Sequence, residues 1–314
     1  MRRPYSLPLV ASFTVVVLLL AACSGSSDES ADTTLAPTTT EQATTTTAAS
    51  TTTATTTTTV AAVTTTTEAL PEEEVSGSDE QWDLVWISDS YGVAVAPAWA
   101  ARIEESEGVE VRVHNYIIGA LEVENTRLMV TEESVAAEGR VTTYEGIRDE
   151  LADAEIIVVY GNAAQTGTRL DMGTCARTGT DPRDPPERYT SADFAPYGDV
   201  YREIYDTIFE LRSGQPTVIR TYDAFAAALA DWREAGIEPE CTAAWEAQAD
   251  AIHEAADEYG VLTASFYDEF NGPDHDEDAH EKGYIASDGW HASLEGQLAQ
   301  VEVLHALGYE PIVP

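Results

Sequence analysis

Lysine is almost missing from this chain. Lys282 is the only one in 314 residues, against 56 aspartates and glutamates and a net charge of −40. So acidic a protein repels phosphate backbones and anionic lipid surfaces, which excludes nucleic acid as a partner and charge-driven membrane binding. The excess of carboxylates reads as a solvated surface and names no substrate. Cysteine is scarce too, at three residues. None stands in a Cys-x-x-Cys pair or beside a histidine, so no metal-ligand spacing is expected around them. Long apolar runs are also lacking. The N-terminal run, Leu9 to Ala22, falls short of the ~20 residues that cross a bilayer comfortably.

That short run follows Arg2 and Arg3, the layout of a secretory signal. Leu20-Ala21-Ala22-Cys23 resembles the bacterial lipobox. The resemblance implies a signal peptide over 1–22, cleavage before Cys23 and a lipid on its thiol. Covalent acyl chains add ~0.8 kcal/mol of membrane affinity per buried methylene, so several chains would anchor the protein firmly. The expected location is the outer side of the cell membrane, touched only through this lipid. Residues 23–80 include "TTLAPTTT", "ATTTTAAS" and "TTTATTTTTV". With so few large apolar side chains they cannot offset their ordering entropy. They read as a disordered, Thr-rich tether, and at about 55 residues its coil would span roughly 40 Å. The remainder, 81–314, has one domain's length and can bury a sizeable core.

With Cys23 assigned to the lipid, Cys175 and Cys241 remain. In an exported domain two cysteines most often pair. The alternatives are two buried thiols or a metal pair. A bridge would close a loop of 66 residues, for which the chain-entropy model gives roughly 4 kcal/mol.

Residues 81–314 alternate apolar runs with amphipathic stretches. "WDLVWIS" (82–88), "VEVRVHNY" (109–116), "EIIVVYG" (155–161), "PTVIRTY" (216–222) and "VLTASFY" (261–267) are strand candidates. Val95, Trp99 and Ile103 recur at helical spacing, as do Val200, Ile204, Ile208 and Leu211. Trp245, Ile252 and Tyr259 mark another helix. Leu294, Leu298, Val301 and Leu304 mark the last, with Ser293 as its cap and Gly308 as its stop. Strand and helix in alternation predict an α/β fold, a five-stranded parallel sheet with helices on both faces. Ligand sites in such sheets lie beyond the carboxyl ends of the strands. The aperiodic stretch 163–194 follows the third strand and should sit over the site.

Ser90, in "SDSYG", falls just past the first strand. It is either a turn residue or a nucleophile, and a serine needs a positioned base to become one. His253 and His305 lie within helices. His291, in "SDGWHAS", is different, because Asp288 stands three residues before it with a turn-forming Asp-Gly pair between. That spacing can fold the carboxylate onto one imidazole nitrogen and leave the other to take a proton from a hydroxyl. This is the division of labour of a Ser-His-Asp triad.

At this point the chain resembles the SGNH (GDSL) hydrolases over residues 82 to 308. "SDSYG" matches the family's first block, "NYIIGA" (115–120) its glycine after strand two, "YGNAA" (160–164) its asparagine after strand three, and "DGWH" its Asp-x-x-His pair before the last helix. The resemblance implies a flavodoxin-like three-layer sandwich and acyl transfer without a cofactor. It assigns Ser90 as nucleophile, His291 as base and Asp288 as its orienter, with Ser90, Gly119 and Asn162 supplying the oxyanion hole. Two positions depart from the pattern. Ser88 stands where the family has glycine, and Tyr160-Gly161-Asn162-Ala163 replaces Gly-x-Asn-Asp.

The expected activity is a surface-tethered serine esterase, hydrolysing or transferring short acyl groups carried as esters on carbohydrate, with a small-molecule or polysaccharide ester as its partner. A lipid-directed esterase and a non-catalytic binding module are the alternatives. "DHDEDAH" (274–280) matches the alternating acids of a calcium loop, but Ala279 replaces the required glycine and Ile285 the closing glutamate. It reads as a solvated acidic loop, and no metal is expected.

Overall fold

The computed structural model describes residues 80–137, 139–163, 170–171, 175–177, 187–188 and 191–314. The expected signal peptide, Cys23 and nearly all of the expected tether lie outside these residues, as does much of 163–194.

Five strands form the main sheet: β1 (Gln81–Ser88), β2 (Glu110–Ile117), β3 (Ile156–Val159), β4 (Val218–Tyr222) and β5 (Leu262–Ala264). Their spatial order is β5-β4-β3-β1-β2, and every neighbouring pair is parallel. Continuous apolar sequence explains the centre. All of β3 and the residues Leu84–Ser88 of β1 are buried, as strands covered on both faces must be. The order reverses between β1 and β3, and their carboxyl ends form the crevice where doubly wound folds bind ligands.

Right-handed crossovers in opposite directions from β1 place helices on opposite faces. On one face α1 (Val95–Glu107) packs against α5 (Leu294–Ala306). Three further helices pack with one another: α2 (Val123–Val130) against α3 (Ala195–Leu211), and α3 against α4 (Glu238–Glu258). Aromatic rings fill the space between sheet and helices. Trp86 meets Trp99 of α1 edge-on at 6.0 Å, and Tyr160 stacks on Tyr222 at 4.5 Å. Arg220, buried in β4, donates to the carbonyl oxygen of Gly308 at 2.8 Å and so ties the end of α5 to the sheet.

Three expectations need correction. The run 261–267 is strand only over Leu262–Ala264, because Ser265 caps a helix, Phe266–Asn271, by accepting from the Asp268 N–H. Within 163–194, Leu170–Asp171, Ala176–Arg177 and Glu187–Arg188 pair as a small antiparallel sheet. Finally, the leucine stripe of α5 is divided: Val301 and Leu304 are buried, whereas Leu294 and Leu298 are exposed. Cys175 and Cys241 are joined by a disulfide with their Cα atoms 5.4 Å apart. The bridge fastens the 163–194 stretch to α4.

Candidate active site

Ser90 opens a single 3₁₀ turn, Ser90–Gly92, at the end of β1. Asp89 caps the turn, its Oδ1 accepting from the Tyr91 N–H at 2.9 Å. The turn also needs glycine at position 92. A Cβ there would stand 2.3 Å from Ser88 Oγ and 2.5 Å from Trp86 Nε1. Ser88, the first departure from the family pattern, has a definite local role. Its buried hydroxyl accepts from the Trp86 indole N–H at 2.8 Å and donates to the Asp89 carbonyl at 3.0 Å. It therefore satisfies a buried donor and steadies the backbone one residue before Ser90.

Gly119 follows β2 in a turn closed by the Leu121 N–H donating to Ile118 O. The turn is held against β1, because the Ile118 N–H donates to Ser88 O at 3.0 Å. Asn162 follows β3, and its backbone is stitched to the same loop. Its N–H donates to Leu121 O at 2.7 Å, and its carbonyl accepts from the Val123 N–H at 2.9 Å. Close approach is possible because residue 161 is glycine, where a Cβ would lie 2.5 Å from Val123 Cα. Tyr197 and Tyr201 complete the clamp by donating their hydroxyls to Gly161 O at 2.7 and 3.2 Å. In this way the three strand ends bearing Ser90, Gly119 and Asn162 are locked together by main-chain bonds.

His291 arrives from the far end of the chain. The stretch before α5 folds back on itself, with Ala286 N–H donating to His291 O and Ser293 N–H donating to Tyr284 O. Ser293 then caps α5 by accepting from the Gly296 N–H. This places His291 Nε2 3.0 Å from Ser90 Oγ, across 201 residues of sequence. Nδ1 lies 2.6 Å from Asp288 Oδ2. The other oxygen of Asp288 accepts from the N–H groups of Trp290 and His291. Those bonds, led by the one from Trp290, hold the Asp288 carboxyl down at about 2, so it is ionised at any ordinary pH. A carboxylate fixed in this way keeps the proton on Nδ1 and leaves Nε2 to accept from the Ser90 hydroxyl.

One polar residue of the site was not anticipated. Asp89 is buried, and desolvation pushes its carboxyl up to about 7 against the opposing bonds from the Tyr91 N–H and the Asn162 side chain. The sequence signal for it was an acid directly before Ser90, but burial cannot be read from one residue. Among the other histidines, His253 bonds to Asp223, and His275 stacks on Tyr267 at 3.7 Å while bonding to Asp268 and Glu246. In the acidic loop Lys282 pairs with Glu277, and His280 contacts Ala227 O. Among the described residues no group of three or more His, Cys, Asp or Glu is arranged to hold a metal ion.

No family model matches the chain, and no curated protein matches it. Solved structures do. An extracellular lipase from Streptomyces rimosus aligns at 14% identity and a TM-score of 0.47, covering 72% of this chain and 99% of its own. A member of the lipolytic G-D-S-L family from Veillonella parvula aligns at 13% identity and 0.41, covering 72% and 97%. A carbohydrate acetylesterase from Sinorhizobium meliloti aligns at 10% identity and 0.40, covering 72% and 96%.

Proposed function

We propose that this protein is a serine ester hydrolase of the SGNH type. One observation carries the reading: Ser90 Oγ, the two ring nitrogens of His291 and the Asp288 carboxylate form a continuous hydrogen-bonded line. Attack by Ser90 Oγ on an ester carbonyl forms the new C–O bond as His291 Nε2 takes the hydroxyl proton. The tetrahedral oxyanion is received by the N–H groups of Ser90 and Gly119 and the side-chain amide of Asn162. Collapse breaks the bond to the alcohol, whose oxygen takes the proton from Nε2. Water, or a second alcohol, then repeats the sequence on the acyl-enzyme.

The acyl group is a short one, and a polysaccharide ester or a small-molecule ester is the substrate. Lipid attachment at Cys23 and a Thr-rich tether would hold the enzyme at the outer face of the cell membrane. A second reading, an ester with an apolar portion, is favoured by the exposed Val93, Trp290, Leu294 and Leu298 that flank Ser90 and His291 in sequence.

A fluorophosphonate probe followed by peptide mapping tests the proposal. Labelling of Ser90, together with p-nitrophenyl acetate hydrolysis that vanishes in Ser90→Ala, is the expected result. Labelling elsewhere, or equal hydrolysis by the variant, would refute it.

A further inference from the structure

A pocket of about 360 Å³ opens beside the candidate nucleophile, lined by Ser90, Tyr91, Val93, Ala94, His291, Ala292 and Gln297. Neither Gly119 nor Asn162 lines it. Its walls come from the start of α1 and the approach to α5, on the imidazole side of Ser90. In acyl transfer the group leaving the tetrahedral intermediate must receive its proton from the imidazole. The oxygen that departs is thus the one facing His291 Nε2, and the carbonyl oxygen turns the other way, toward the strand ends. This geometry assigns the pocket to the alcohol half of the ester.

The lining then selects the alcohol. Among the described residues lining the pocket there is no Asp, Glu, Lys or Arg. Gln297 brings a single neutral amide, one of whose N–H groups donates to the Ala292 carbonyl at 3.0 Å, so polar recognition in the lining is sparse. The wall continues outward in the same character. Leu294, Gln297 and Leu298 fall on one face of α5, at i, i+3 and i+4. Leu294 is 70% exposed and Leu298 54%, and Val93 on the facing turn is 57% exposed. Arg102 and Glu302, 3.4 Å apart, show that α1 and α5 lie side by side farther along. The two leucines precede Glu302 by two turns and one turn on the same stripe, so they extend the apolar lip from the pocket along the groove between the helices.

We infer that this groove is the leaving-group subsite and that it takes an apolar alkyl or benzyl alcohol in preference to a sugar. The inference rests on the esterase reading above and, of the two substrates named there, takes the small-molecule ester over the polysaccharide ester.

The test holds the acyl group constant as acetate and varies the alcohol: methyl, hexyl and benzyl acetate, and a methyl glucoside 6-acetate. All four give the same acetyl-enzyme, and the leaving oxygens are primary alkoxides of similar basicity, so kcat/KM compares how the alcohol is held in acylation. A second series varies the acyl group on methanol, from acetate to hexanoate. One buried methylene is worth about a fourfold gain, so hexyl acetate should exceed methyl acetate by at least about tenfold. The acyl series should be flatter. Replacing both leucines (Leu294→Ser with Leu298→Ser) should lower the hexyl-to-methyl ratio at least about fivefold. A melting temperature near that of the parent would show that these exposed sites do not disturb the fold.

A steeper acyl series, or a glucoside acetate turned over faster than hexyl acetate, overturns the inference. So does a ratio unchanged in the double variant. Failures of the two readings separate cleanly. If the fluorophosphonate labels Ser90 and esters turn over without alcohol preference, only the subsite is lost. With no label and no turnover, both fall.

Discussion

The buried carboxylate of Asp89 is hydrogen-bonded to the side chain of Asn162. The residue before the candidate nucleophile and the residue that ends the third strand's approach thus share one interaction. Asn162 has an amide of two N–H donors. Giving one to Asp89 fixes the plane of the amide, and that plane directs the other.

Asn162→Ala should accordingly lower kcat by ~10²–10³, the usual cost of losing one oxyanion donor, with a much smaller change in KM. Steady-state kinetics on a p-nitrophenyl ester measures both. A change confined to KM would remove Asn162 from the transition state.

Asp89 makes stability depend on pH in a defined direction. Burial raises its carboxyl from 3.8 to about 7 in the folded protein. Between those values the folded state keeps a proton that the unfolded chain has released, so stability falls as pH rises from about 4 to about 7. The contribution reaches at most roughly 4 kcal/mol. Asp89→Asn, which can still accept from the Tyr91 N–H, should lack this slope. The difference in melting temperature between variant and parent, followed across that window, isolates the effect from other titrating groups. It should widen in the variant's favour with rising pH.

Placing glycine at position 88, as in the SGNH pattern that the sequence resembles, should harm this protein. Ser88→Gly strands the Trp86 indole N–H, which is fully buried. An unsatisfied buried donor costs about 1–3 kcal/mol, and glycine in a strand adds about 0.5–1 kcal/mol. Urea denaturation should show a lower midpoint with an unchanged slope.

Removing the Cys175–Cys241 bridge releases a loop of 66 residues. Cys175→Ser with Cys241→Ser should lose roughly 4 kcal/mol, a drop of about 10 °C in melting temperature for a domain of this size. The parent should fall to the same temperature in strong reductant.

Much of this architecture was legible in the sequence, for identifiable reasons. A strand buried on both faces must be apolar throughout, so "EIIVVYG" could be read directly, and the strand order made the ends of β1, β2 and β3 the places to search. Ser90, Gly119 and Asn162 stood there. The pairing of Asp288 with His291 was local, three residues apart across an Asp-Gly turn. Features decided by tertiary context were not legible. No helix was anticipated at Val123–Val130, which is short and lacks a side-chain cap. "ASFY" looked like strand because the Ser265 cap competes with β-favouring neighbours. Leu294 and Leu298 continued the period of a buried stripe, but the first turns of α5 are buried instead along Gly296, Gln300 and Leu304, at i, i+4 and i+8, which leaves those two leucines off the core face.

The direction of β1 has one more consequence. The chain enters the sheet at Gln81 and reaches Ser90 only after the strand has crossed its full width, roughly 26 Å for eight residues. Anything fastened upstream of Gln81 therefore grips the molecule at its base, with the reactive mouth at the opposite pole. A tether joined at that end would leave the mouth clear of its own attachment point.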